Sequence, residues 1–192
     1  VAAAYPSFEE AEKIGHQFVK VNELRKIQIT ESEKFPDPIR RLHEALATRE
    51  VREALAALSG IDDLLYDDTL AGGGMHMTAA HGRLDVHVDF NYLEPQRIYR
   101  RLNLLVYLNP TWRPSWGGAV ELWDRDVQHR YAVFTPKHNR AVLFETSEIS
   151  FHGVTACACP EDITRNSFAV YYYTKEPPPG YDGVAHSTIF KA

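Results

Sequence analysis

LDVHVDF, residues 84–90, alternates Leu84, Val86, Val88 and Phe90 with Asp85, His87 and Asp89. A period of two belongs to a β-strand with one apolar and one polar face, so His87 and Asp89 stand side by side on the same face. Other short runs of strand-forming residues surround this one. MHMTA (75–79) precedes it, and YRRLNLLVYLN (99–109), GAVELW (118–123), RYAVF (130–134), RAVLFE (140–145), ISFHGV (149–154) and SFAVYYYT (167–174) follow. Turn residues separate the runs, beginning with Gly72-Gly73-Gly74. About eight strands with no long helix among them predict a mainly β fold of two packed antiparallel sheets, a jelly roll.

The region before Gly60 reads as helical. Phe8, Ala11, Ile14, Phe18 and Val21 recur at three- and four-residue steps and predict a helix over 7–21. Thr30 and Glu33 offer a capping box that Phe35-Pro36-Asp37-Pro38 cuts short. Asp37 as N-cap and Pro38 at the first helical position start a second helix. Its inward residues are Ile39, Leu42 and Leu46, and Val51, Leu55 and Leu58 continue the pattern until Ser59-Gly60 stops it. The expected organisation is one domain over 1–192, with helical support at 1–60, a jelly-roll core at 61–176 and a peripheral, turn-rich tail at 177–192.

Composition narrows the function. The net charge of −5 comes without a basic run, which argues against a nucleic-acid partner. No apolar stretch approaches the ~20 residues of a membrane span. Cys157 and Cys159 are the only cysteines, and their one-residue gap suits neither a relaxed disulfide nor a zinc site. They read as small loop residues of a protein in a reducing, cytoplasmic compartment.

The chemistry-bearing residues are His87, Asp89, His152 and Arg165, in that order. Two imidazoles and one carboxylate can occupy one face of a ferrous ion and leave the opposite face open. A separate arginine can grip the far carboxylate of a small acid that chelates the open face, because its planar fork matches a carboxylate bidentately. Arg165 shares strand parity with Ser167, Ala169 and Tyr171, and an inward arginine on an apolar strand requires an anionic partner. Asn103, Leu105 and Tyr107 share another face, which adds an amide and a phenol to the same cavity. A His-x-Asp pair alone is common by chance, and His16, His43, His129 and His138 read as structural or solvated. The combination carries the signal.

The run from Gly72 to Thr174 resembles the 2-oxoglutarate- and Fe(II)-dependent oxygenases of the prolyl-hydroxylase-like superfamily. The matching pieces are HVDF, RRLNLLVYLN followed by WGGAVELWD, then FHGV and RNSFAVYYYT. The resemblance implies a double-stranded β-helix with N-terminal supporting helices. It implies His87, Asp89 and His152 as iron ligands and Arg165 as the 2-oxoglutarate anchor, with Ser167, Tyr107 and Asn103 beside the cosubstrate. It further implies oxidative decarboxylation of 2-oxoglutarate by O2, yielding succinate and CO2, with ascorbate as a candidate reductant. Related halogenases lack the carboxylate, so Asp89 points to hydroxylation.

Where protein-acting prolyl hydroxylases often carry a tyrosine, this chain has MHMTA, so His76 or Thr78 takes that polar role. His76, Thr78, Asn91, Tyr92, Arg97 and Trp116 are the candidate substrate contacts, and the expected substrate is a small molecule, a sugar or amino-acid unit, or a peptidyl, prolyl-like side chain. Two rival readings use the same barrel. One is a cupin-like metal-dependent sugar isomerase, in which Arg165 is incidental. The other is a non-catalytic carbohydrate-binding module with Trp112, Trp116 and Trp123 as stacking platforms.

Overall fold

β4 runs from Gly74 to Val88, so MHMTA and the first five residues of LDVHVDF belong to one fifteen-residue strand in the computed structural model, which describes residues 1–191. Around it the chain places α1 (Phe8–Ile14), β1 (His16–Lys20), β2 (Glu23–Ile29), α2 (Asp37–Ala47), α3 (Arg49–Ser59) and β3 (Leu65–Tyr66). After β4 come β5 (Tyr92–Leu93), β6 (Ile98–Tyr107), β7 (Val120–Trp123), β8 (Arg130–Phe134), β9 (Ala141–Glu145), β10 (His152–Val154), β11 (Arg165–Thr174) and β12 (Ile189–Phe190).

The length of β4 curls the sheet. Its first half pairs with β11 on one side and β2 on the other, with Thr78 opposite both Arg165 and Lys26. Its last residues pair instead with β10, His87 opposite His152, and with β12, His87 opposite Phe190. β6 and β9 extend the first layer beyond β11, and β7 and β8 extend the second beyond β10. One strand shared by both layers gives the mainly β, jelly-roll architecture.

The two-residue period then sorts side chains between two environments. Ile27, Ile29, Met75, Met77, Leu102, Leu104, Phe168, Val170 and Tyr172 point to one face, where Ala11 of α1, Ile39 of α2 and Leu55 of α3 cover them in a single core. Their alternates Lys26, Gln28, His76, Thr78, Asn103, Leu105, Arg165 and Ser167 line a cavity on the opposite face. Phe168 has no exposed surface, and truncating it to alanine is expected to cost about 3–5 kcal/mol in chemical denaturation.

Three parts of the chain depart from the sequence reading. The first helix ends at Ile14, because Gly15 lies so close to β2 that a Cβ there would sit 2.5 Å from Ile27 Cγ2. Residues 16–20 then pair with β2 as a hairpin, and cross-strand pairing outweighs their weak helical period. The second helix begins one residue earlier than expected, with Pro36 as its N-cap. It also divides: the Thr48 hydroxyl accepts from the Val51 amide and starts α3, which closes on Gly60 in the left-handed conformation. Finally, the tail is not peripheral, since β12 joins β4 beside His87. No helix among the described residues is long and apolar enough to cross a membrane.

Candidate active site

Strand pairing brings His87, Asp89 and His152 together. His152 lies directly opposite His87 in the ladder, and Asp89 follows the end of β4. One ligand atom from each side chain lies within 4.8 Å of the others. His87 Nε2 is 3.4 Å from Asp89 Oδ1, and His152 Nε2 is 3.3 Å from Asp89 Oδ2. Both imidazoles are oriented in the same way. His87 Nδ1 donates to the Asp85 carbonyl at 2.8 Å, and His152 Nδ1 donates to the Ser150 carbonyl at 2.9 Å. A carbonyl can only accept, so Nδ1 carries the proton in each neutral ring and the Nε2 lone pair faces Asp89. Burial, and the neighbouring His152, hold the His87 pKa below its ordinary value, which favours this neutral ligand form.

Asp89 is buried, which opposes its ionisation, yet the Arg100 guanidinium holds its carboxyl well below the usual range. Arg100 was absent from the sequence reading. Its side chain is 1% exposed and its Nη2 lies 3.0 Å from Asp89 Oδ2. Arg100 Nε and Nη2 also donate to Asn103 Oδ1 at 2.9 and 2.7 Å, while Asn103 Nδ2 donates to Asp89 Oδ2 at 2.8 Å. The guanidinium is sandwiched against Tyr171 and Phe90, with centroids 3.4 and 4.6 Å away. Asn103 is thus engaged by Asp89 and Arg100 while it also lines the cavity that holds the triad and Arg165. Removing an orienting partner of a ligand typically costs 10–100-fold in metal affinity. Arg100→Gln is therefore expected to weaken Mn(II) binding by about that factor in equilibrium dialysis.

The other end of the cavity is cationic. Arg165 is only 4% exposed. It donates from Nε to the Gly118 carbonyl at 2.6 Å and from Nη2 to the Tyr107 hydroxyl at 3.1 Å. Gly118 has φ +66°, and a Cβ there would lie 3.1 Å from Arg165 Cδ, so the Gly117-Gly118 turn is shaped around the arginine. No carboxylate among the described residues pairs with Arg165. Thr78 and His76 lie across the ladder from Arg165 and Ser167, so these four residues form adjacent rows on the cavity floor. That position puts His76 and Thr78 beside Arg165, where the sequence reading had them as substrate contacts. Tyr107 is fully buried and its hydroxyl meets Arg165.

His76 is buried and its Nε2 has no hydrogen-bond partner. Burial, with Lys26 and Arg165 nearby, holds its pKa well below 6.5. The unfolded chain therefore binds a proton near pH 6.5 that the folded chain refuses, and stability falls as pH drops below that point. The slope is at most about 1.4 kcal/mol per pH unit for one such histidine. His76→Gln should shallow the acid limb of a urea-denaturation series.

The cavity holds about 480 Å³ and includes the triad, the floor rows, apolar walls from Leu105, Val120 and Phe144, and the hairpin tip Lys20–Asn22. Asn91 and Trp116 lie outside this lining. Asn91 Nδ2 donates to Glu148 Oε1 and the Val184 carbonyl, and Trp116 packs edge-on against Trp112 at 5.5 Å. Tyr92 packs at a tilt against Tyr99, and Arg97 occupies a tight turn with φ 55°. The tryptophans do not form a platform: Trp112 is buried against Ala80 and Cys157. Burial pushes the Cys157 thiol up to about 11 and raises Cys159 as well, so neither is a thiolate at neutral pH.

A curled antiparallel barrel with a His-x-Asp…His cluster at one end of its cavity and a buried arginine at the other defines a class of metal-dependent oxygenases. Residues 73–173 match the family model of the 2OG-Fe(II) oxygenase superfamily, and the chain belongs to that superfamily. A stretch of 78 residues, 38% of the chain, is 35% identical to prolyl 3-hydroxylase OGFOD1 of Mus musculus, and the match spans 14% of that protein. Among solved structures, a Pseudomonas putida prolyl-4-hydroxylase shares the fold with a TM-score of 0.60 at 15% identity, over 86% of this chain and 80% of that one. A Trichoplax adhaerens prolyl hydroxylase in complex with a hypoxia inducible factor peptide fragment does so with a TM-score of 0.56 at 18% identity, over 83% and 69%.

Proposed function

We propose that the chain is an Fe(II)- and 2-oxoglutarate-dependent dioxygenase that hydroxylates an unactivated C–H bond, with His87, Asp89 and His152 holding the metal and Arg165 holding the far carboxylate of 2-oxoglutarate. One oxygenase unit spans the chain, with the helices supporting the barrel. The observation that carries this reading is Arg165, a buried cation with no carboxylate partner among the described residues, in the same cavity as the triad. An unpaired buried guanidinium is costly, and an anionic ligand offsets that cost. The cupin-like isomerase leaves Arg165 without a role.

Fe(II) with bound 2-oxoglutarate supplies the oxidising chemistry, which consumes O2, releases succinate and CO2, and places a hydroxyl on the substrate. The protein's residues do the positioning. His87 and His152 present unprotonated Nε2 atoms, and Arg100 with Asn103 keeps Asp89 ionised and fixed in orientation. Arg165 offers a charged donor, and the Ser167 and Thr78 hydroxyls with the neutral His76 ring line the same end of the cavity. Leu105, Val120 and Phe144 shield the middle from water, which strengthens the electrostatic contacts inside. The substrate is a small molecule, a sugar or amino-acid unit, or a peptidyl side chain; the prolyl-hydroxylase names of the relatives favour a proline-like ring.

With ferrous iron, ascorbate and 2-oxoglutarate, the purified chain is expected to form succinate slowly even without a prime substrate. His87→Ala/Asp89→Ala is expected to lower that rate by more than about 100-fold. Equal succinate formation by the double variant would remove the triad from the reaction.

A further inference from the structure

The edge of β4 is divided between two partners. β2 pairs with it from Met75 to Leu84 and then turns away. Beyond that point β12 takes over, with Phe190 opposite His87, Ile189 opposite Val88, and the Lys191 amide donating to the Val86 carbonyl at 2.9 Å. The Ile189–Lys191 segment thus fills the stretch of β4 edge that follows the β2 pairing, directly beside a metal-site histidine. The Phe190 ring lies 5.4 Å from the His87 ring, and Ser187, Thr188 and Phe190 line the cavity.

Few contacts fasten this segment. Asn91 accepts from the His186 amide at 3.0 Å and donates to the Val184 carbonyl at 2.9 Å. His186 Nε2 lies 2.7 Å from Glu148 Oε2, and the Lys191 ammonium sits 5.0 Å from the Phe151 ring. The Pro177–Gly183 stretch before it contains Gly180 and Gly183, both at positive φ and both with open space around them. A strand held by side-chain clasps at the end of a turn-rich connector can leave without disturbing the core.

An exposed strand edge beside a reactive centre is where an extended polypeptide would bind by adding a strand, since its backbone supplies the hydrogen bonds. Here the chain's own Ile189–Lys191 segment occupies that lane. Building on the dioxygenase reading, we infer that Val184–Lys191 is a strap that fills the polypeptide lane and reserves the site for a small-molecule substrate. Phe190 is its specificity-determining residue: it stands between His87 and anything that would approach along the β4 edge.

The test uses the full chain loaded with Mn(II). Hydrogen–deuterium exchange should find the His186 and Lys191 amides slower than those of Tyr181 to Gly183. In Asn91→Ala/His186→Ala the Lys191 protection should fall by about tenfold or more, while β11 amides stay unchanged. Fluorescence anisotropy of a labelled, unstructured proline-containing decapeptide should show no binding to the wild type and saturable binding to the double variant and to Phe190→Ala. Wild-type binding as tight as that of the variants overturns the inference. So does a released strap, by exchange, that still admits no peptide. Neither readout depends on 2-oxoglutarate; its titration into the same samples reports on the dioxygenase reading alone, and loss there with the strap results intact leaves the strap standing.

Discussion

Asp89→Ala is expected to cost the chain both its metal and several kcal/mol of stability. The metal loss follows because Asp89 supplies the only carboxylate of the cluster. The stability loss follows from Arg100, whose guanidinium is buried against that carboxylate at 3.0 Å. Removing one member of a buried ion pair leaves an uncompensated charge, at about 3–5 kcal/mol. Asn103 would remain as an acceptor for Arg100, which places the expected loss toward the lower end of that range. The two effects separate in Asp89→Ala/Arg100→Leu, where the charge is gone along with its partner. That variant is expected to recover most of the stability and none of the metal binding. Urea denaturation and Mn(II) dialysis on both variants check this, and an Asp89→Ala protein as stable as wild type would show that Arg100 is compensated elsewhere.

The second large effect is at Arg165, where binding and stability should part company. Charge-assisted hydrogen bonds contribute about 1.5–3 kcal/mol each, and two to one carboxylate amount to at least about 100-fold in affinity. Arg165→Met is therefore expected to raise the 2-oxoglutarate Kd by about that factor or more. Its folding stability should change little, because losing the bonds to Gly118 and Tyr107 is offset by removing an unpaired buried cation. Arg165→Lys should not rescue affinity, since an ammonium lacks the planar fork. A Kd unchanged in Arg165→Met, with melting temperature preserved, would detach Arg165 from the cosubstrate.

Much of this site was legible because it obeys strict alternation. The parity of 165, 167 and 171 and of 103 and 105 places those side chains on one face, and the same parity places Phe168, Val170, Leu102 and Leu104 in the core. Arg100 escaped for a physical reason. The β6–β11 ladder shifts register between Tyr172 and Tyr173, so Tyr172 faces Leu102 and Tyr173 faces Arg100, which leaves Arg101 as the extra residue of a bulge. The bulge turns Arg100 onto the face of Asn103, three positions away, where alternation alone would put it on the opposite side. A doubled arginine inside an apolar strand was the available signal.

The tail and the hairpin were missed for a different reason. Neither His16–Lys20 nor Ile189–Phe190 has a two-residue pattern strong enough to announce a strand; each is extended because β2 or β4 offers an unpaired edge. Such edges exist only after the barrel has formed. The same holds for Asn91, whose partners Glu148, Val184 and His186 are brought to it by tertiary structure.

The central claim, that one cavity holds a metal at His87, Asp89 and His152 and a dicarboxylate reaching to Arg165, is tested most directly by isothermal titration of 2-oxoglutarate under argon. The titration is run into the Mn(II)-loaded chain and into the metal-free chain. The predicted result is saturable binding of one 2-oxoglutarate per chain that requires the metal and disappears in His87→Ala/Asp89→Ala. Binding of equal strength without metal, or no binding to the metal-loaded chain, would contradict it.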